Sequence, residues 1–145
     1  MNAKRRRLLL AAIEPLLEAG ERVEVTAVVN LNPVSVRRTA VFAAASALMS
    51  SGAMVVVPAR VPLYLGMTGH RLFLFEADPV FARPKGLVTT IPRAGLVRSE
   101  VKERILNSSF VVSSPDSDQG MQIIFPLTCR KERDAVAAAL PLAAG

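Results

Sequence analysis

Two side chains in this sequence are of types that do nucleophilic or acid–base chemistry at neutral pH: Cys129 and His70, each the only residue of its kind. A thiolate needs an activating base, and an imidazole base needs a nucleophile or an orienting carboxylate. Neither residue has such a partner at a recognisable spacing. His70 falls in a predicted turn and Cys129 just ahead of a predicted helix, so both are expected to be structural. One Cys excludes an intramolecular disulfide, and one Cys with one His excludes a Cys/His zinc site within the chain. Asp116 and Asp118 lie in a Ser/Asp/Pro loop that lacks the ligand count and spacing of a calcium loop. No glycine-rich loop leads from a strand into a helix. No cofactor, metal or catalytic residue is expected. The enzyme alternative would require Glu76, Asp78 or His70 to converge in a deep pocket.

The cationic residues are the stronger signal. The formal charge is +6, from 18 basic and 12 acidic residues. Lys4, Arg5, Arg6 and Arg7 form one tract, and Arg37 and Arg38 form a second, shorter one. Such clusters beside amphipathic helices attract anionic membranes, at about 1 kcal/mol per charge near the surface. The same clusters could serve nucleic acid. Against that, there are six Phe, one Tyr and no Trp, most at core-facing strand positions, so no stacking platform interleaves with the arginines. Arg outnumbers Lys 14 to 4, a bias that suits a GC-rich coding sequence and makes part of the basicity mutational.

The elements that must position these residues fit one domain, residues 1–145, with enough apolar sequence (51%) for a sizeable core. Residues 1–20 imitate a signal peptide, but the apolar run after the basic tract lasts six residues and meets Glu14 and Pro15. They are read as a helix over 3–18, with Leu9, Ile13, Leu16 and Leu17 as its apolar stripe and Gly20 as its stop. Val23, Val25, Ala27 and Val29 alternate as a half-buried strand. Residues 30–33 should be a loop. Residues 34–54 read as a second, Ala-rich helix, apolar nearly all round beyond Arg38.

The run 39–59 holds no charge and is long enough to span a bilayer, but Ala, Ser and Gly dominate it. Phe42, Leu48 and Met49 make its bulky stripe, suited to the domain's own sheet, a second copy, a protein partner or a membrane surface. A β region is expected over 62–126. It opens with a hairpin, strands 63–68 and 71–75 about the turn Gly69-His70. Further strands follow at 86–91, 96–105, 105–113 and 121–125, with Leu106, Phe110 and Val112 on one face. A C-terminal helix over 128–141, capped by Thr128, should turn Val136, Ala139 and Leu140 inward.

At this point the residues resemble a family. The hairpin Tyr64-Leu65-Gly66-Met67-Thr68-Gly69-His70-Arg71-Leu72-Phe73-Leu74-Phe75 is similar to that of bacterial pleckstrin-homology-like and GRAM-like domains. Thr68, Arg71, Leu72 and Phe75 stand where the pattern places a Thr, an Arg-Leu pair and an aromatic. Leu16-Leu17-Glu18-Ala19-Gly20-Glu21 resembles the family's helix, Gly-Glu and strand opening. Ile91-Pro92-Arg93 before Val97 and Val101 resembles its later Ile-Pro step. The turn departs from the family, which carries Asp or Asn where this chain has Gly69-His70, and the 39–57 insertion is longer than a plain loop.

The resemblance implies an α+β, mainly β fold: a partly open antiparallel barrel of about seven strands, capped by a C-terminal helix, with no catalytic activity. It implies that residues 39–59 do not cross the bilayer, because strand 23–29 must pair with strands after Pro62. The expected role is binding: to a second copy or protein partner through residues 34–54, or to an anionic membrane at its inner, cytoplasmic face. The candidate residues are Lys4, Arg5, Arg6, Arg7, Arg37, Arg38, Phe42, Leu48 and Met49.

Overall fold

The computed structural model describes residues 2–35, 62–78, 83–114 and 119–143. Helix α1 (Ala3–Ile13) passes into a 3-10 turn (Glu14–Leu16). Strands β1 (Val23–Ser35), β2 (Leu63–Thr68), β3 (Arg71–Ala77), β4 (Pro84–Pro92), β5 (Val97–Arg98), β6 (Lys102–Glu103), β7 (Asn107–Ser113) and β8 (Gln119–Pro126) follow. A second 3-10 turn (Leu127–Cys129) leads into helix α2 (Arg130–Ala139). The architecture is α+β and mainly antiparallel β. The strand order is β4-β3-β2-β1-β8-β7-β5, with β6 also on β7, so among the described residues β4 and β5 end the sheet and it does not close.

β1 holds the sheet together. Its first part, Val23 to Val29, pairs with β2, and Asn30 to Ser35 pair with β8. Residues 30–33 are therefore strand rather than loop, and Val34 belongs to β1 rather than to a helix. Pro33 stands opposite Met121 in this pairing and, with no N–H, donates nothing to the ladder. The remainder of the expected 34–54 helix lies outside the described residues.

The hairpin forms as its two apolar runs about Gly69-His70 predict, with Leu65 opposite Leu74 and Met67 opposite Leu72. It is buried on both faces. Leu63, Leu65, Met67, Leu72 and Leu74 enter the main core with Val29, Leu31, Phe110, Ile123 and Phe125. Tyr64, Phe73 and Phe75 point the other way, onto Leu9 and Ile13 of α1. Phe110 and Phe125 stack at 5.5 Å in the main core.

α1 is shorter than expected because Pro15, which donates no backbone hydrogen bond, opens a 3-10 turn. The single strand expected over 96–105 is split. Four residue steps separate Arg98 from Lys102, but three separate their β7 partners Val112 and Ser109. The extra residue is a bulge, and it makes two short strands of one. Leu106, expected to share a face with Phe110 and Val112, instead lies 74% exposed in the turn before β7. Thr128 does not cap α2, whose N-cap position is Cys129, with no side-chain cap bond. α2 buries Arg133, Val136 and Ala137, Ala139 packs half-buried against the main core, and Leu140 closes the helix from the C-cap position.

Candidate binding surface

α1 begins at Asn2, an extended residue whose side-chain oxygen accepts from the Arg5 backbone N–H at 2.8 Å. Leu9 and Ile13 are fully buried on the sheet, and the other side of the helix is wet. Lys4, Arg5, Arg6 and Arg7 are all exposed. No acidic residue stands in the first turn of α1. The helix N-terminus carries a partial positive charge, so cations there oppose the dipole. Arg5 lies within electrostatic reach of Tyr64, whose phenol is pushed above its ordinary pKa by burial, with Arg5 acting in the opposite direction. The structure thus brings four of the nine candidate residues together on one helix. Arg37, Arg38, Phe42, Leu48 and Met49 lie outside the described residues.

The hairpin motif residues meet in a structural cluster. Glu21 is buried, and its carboxylate accepts from the Arg71 guanidinium at 2.8 and 3.0 Å, the Thr68 hydroxyl at 2.6 Å and the Glu18 N–H at 3.0 Å. Arg71 holds the carboxylate pKa down to about 2, with Thr68 and the Glu18 N–H adding to the effect against the cost of burial. The same guanidinium donates to the Leu16 carbonyl at 2.7 Å and lies 4.7 Å from the Phe73 ring centroid. Thr68 in turn accepts from the His70 and Arg71 backbone N–H groups and fixes the turn. The cluster ties the chain after α1 to the hairpin.

Two further arginines close the end of α2. Arg93 donates to the Ala139 carbonyl at 3.0 Å and to the Thr68 carbonyl at 2.6 Å. Arg98 donates to the Ala137 carbonyl at 2.6 Å and the Leu140 carbonyl at 3.2 Å. The Ala137 carbonyl also accepts from the Leu140 N–H at 3.3 Å, and a cation at a helix C-terminus complements the dipole. Through these bonds Arg98 of β5 is seated on the end of α2.

A cleft of about 310 Å³ lies between the hairpin turn and the end of α2, lined by Gly69, His70, Arg93, Ala94, Ala139, Leu140 and Pro141. Its ionisable side chains are one imidazole and one guanidinium, and the guanidinium is already committed to two carbonyls. Glu76 and Asp78 do not line it. Glu76 sits five residues along β3 from Arg71, roughly 16 Å at the strand rise. Cys129 is buried in the main core. Among the described residues no three His, Cys, Asp or Glu side chains are grouped to hold a metal ion. No described helix is long and apolar enough to cross a membrane.

One surface feature escaped the sequence reading. Ile105 is 88% and Leu106 74% exposed at the turn between β6 and β7, with Leu127 beside them. The Leu127 N–H donates to the Leu106 carbonyl at 3.1 Å, and the Arg104 N–H donates to the Asn107 carbonyl at 2.8 Å to close the turn. The available signal was the pair Ile105-Leu106 set between Arg104 and Asn107, polar residues at both ends of an aliphatic dipeptide. No protein-family model matches the chain, and neither does any curated protein.

Proposed function

We propose that this chain is a non-catalytic, pleckstrin-homology-like binding module that docks on an anionic membrane surface through the basic N-terminal turn of α1. The observation that carries the reading is the exposed tract Lys4, Arg5, Arg6 and Arg7, placed at the helix end where cations cost stability. A tract that works against its own helix calls for a partner of opposite charge. The mainly antiparallel sheet and a C-terminal helix packed into the main core support the fold part of the reading. So does the meeting of Glu21, Thr68 and Arg71, the residues of the family-like pattern. Arg71, Arg93, Arg98 and Arg133 are engaged by carbonyls and carboxylates of their own chain, which favours a binding role for the cations left on the surface. The reading implies a cytoplasmic chain at the inner face of the membrane.

Co-sedimentation with vesicles tests it. The chain should pellet with phosphatidylcholine vesicles that contain phosphatidylserine, less so as salt rises, and weakly with phosphatidylcholine alone. Arg5→Glu plus Arg6→Glu should lower the partition coefficient at least tenfold, given about 1 kcal/mol per charge. Equal binding by the variant, or no preference for the anionic lipid, overturns the reading.

A further inference from the structure

We infer that the turn carrying Ile105 and Leu106 is an insertion tip, which seats its two aliphatic side chains in the interfacial zone of an anionic bilayer. This rests on the reading of the chain as a membrane-surface module, and adds a second, apolar contact to it. The turn is convex and tight, closed by the Arg104–Asn107 hydrogen bond. Its backbone polar groups are partly satisfied there and by Leu127, which lowers the cost of leaving water. Leu127, 45% exposed, widens the apolar surface to three side chains. A single exposed Leu needs no explanation, but adjacent aliphatics at these exposures on one turn do.

The charges around the tip select the occupant. Arg104 precedes Ile105 directly, and Arg130 and Lys131 open α2 just after Leu127; all three are exposed. The nearby carboxylates of Glu103 and Asp134 are both held by Arg133, at 2.7 Å each. Glu132 is only partly exposed, and Lys102 offsets Glu100 further back along the chain. Lys102, Arg104, Arg130, Lys131 and Arg133 thus stand against Glu100, Glu103, Glu132 and Asp134, five cations to four carboxylates, and the rim keeps a net positive charge. A second copy docked on the same tip would bring Arg104, Arg130 and Lys131 against their own kind. Three side chains also offer far less than the roughly 800 Å² per partner of a stable interface. A bilayer accepts both parts: acyl chains take the aliphatics, and anionic headgroups take the rim.

The full chain lacks Trp, so Ile105→Trp supplies a clean probe. With phosphatidylcholine vesicles containing phosphatidylserine, its emission should shift to the blue and be quenched by brominated acyl chains. Ile105→Ser plus Leu106→Ser should lower vesicle partitioning on the order of tenfold, with an unchanged melting temperature because both sites are solvated. An unshifted Trp emission, or full binding by the Ser variant while Arg5→Glu plus Arg6→Glu loses it, overturns the tip and leaves the basic helix standing. The opposite pattern, loss only in the Ser variant, overturns the helix as the docking face and leaves the tip. Failure of the wild-type chain to bind these vesicles removes both. A wild-type dimer in light scattering that the Ser variant converts to monomer, without vesicle binding, overturns the tip in favour of a protein interface.

Discussion

Gly66 of β2 lies directly beneath Ile13 of α1, and a methyl group at position 66 would overlap the Ile13 Cδ1. The absence of a side chain there lets the helix settle on the sheet, with Leu9 and Ile13 both fully buried. Gly66→Ala should destabilise the fold by about 1–3 kcal/mol, as overpacking does. Ile13→Val removes the offending Cδ1, so the double variant should recover part of that loss. A urea-denaturation double-mutant cycle checks it; strict additivity would mean that the two positions do not share this contact.

The Glu21–Arg71 pair sets an acid limit on stability. The folded Glu21 pKa, about 2, lies below the ordinary 4.5, so the unfolded chain takes up the proton first as pH falls. The contribution is fully present above about pH 4.5 and is lost as pH falls through about 2. Glu21→Gln should flatten this part of the stability profile, measured by thermal melts between these limits. Arg71→Ala should cost about 3 kcal/mol near neutrality, because it leaves a buried carboxylate without its cation.

The basic tract gives a prediction in which stability and binding move in opposite directions. Arg5→Glu plus Arg6→Glu puts acidic groups in the first turns of α1, where the dipole favours them by about 0.3–1 kcal/mol each. The melting temperature should hold or rise while vesicle binding falls. A falling melting temperature would assign the tract a structural role.

Arg98 closes α2 from outside the helix. Arg98→Ala removes its bonds to the Ala137 and Leu140 carbonyls, at a cost of about 1–3 kcal/mol. Amide exchange should quicken in the last turn of α2 before it does in β1, since the released carbonyls belong to that turn.

Ser108 behaves in the opposite sense. Its hydroxyl is buried in β7 and makes no hydrogen bond. Ser108→Ala removes a desolvated polar group and should be neutral or stabilising by up to about 1 kcal/mol. Chemical denaturation decides it, and a loss greater than that would mean the hydroxyl has a partner in solution.

The hairpin was legible because two continuous apolar runs flank Gly69-His70, which admits only a short turn. Its burial on both faces was not, since nothing local to Tyr64, Phe73 or Phe75 says that a helix fifty residues away will cover them. Pro33 misled in the other direction: it signals a loop by its own chemistry, but tertiary pairing with β8 needs nothing from its missing N–H. The one strand expected over residues 96–105 is broken by a bulge. Bulges depend on the partner strand, so Leu106 could not be seen to leave the core. The basic tract in α1 was readable as a cluster. The rim of Arg104, Arg130 and Lys131 was not, because a strand turn and a helix start join it only in the fold.

The division of β1 between β2 and β8 bears on how the chain is made. As synthesis proceeds from the N-terminus, β1 can pair with β2 once the hairpin has emerged. Its second part, Asn30 to Ser35, must wait for Gln119 to Ile124. During that interval a strand edge stays open to other nascent chains. Pairing across so long a loop also slows closure. Chaperone demand during translation should therefore centre on the second part of β1, the segment around Pro33, and a ribosome-stalled chain that stops short of β8 should be captured there.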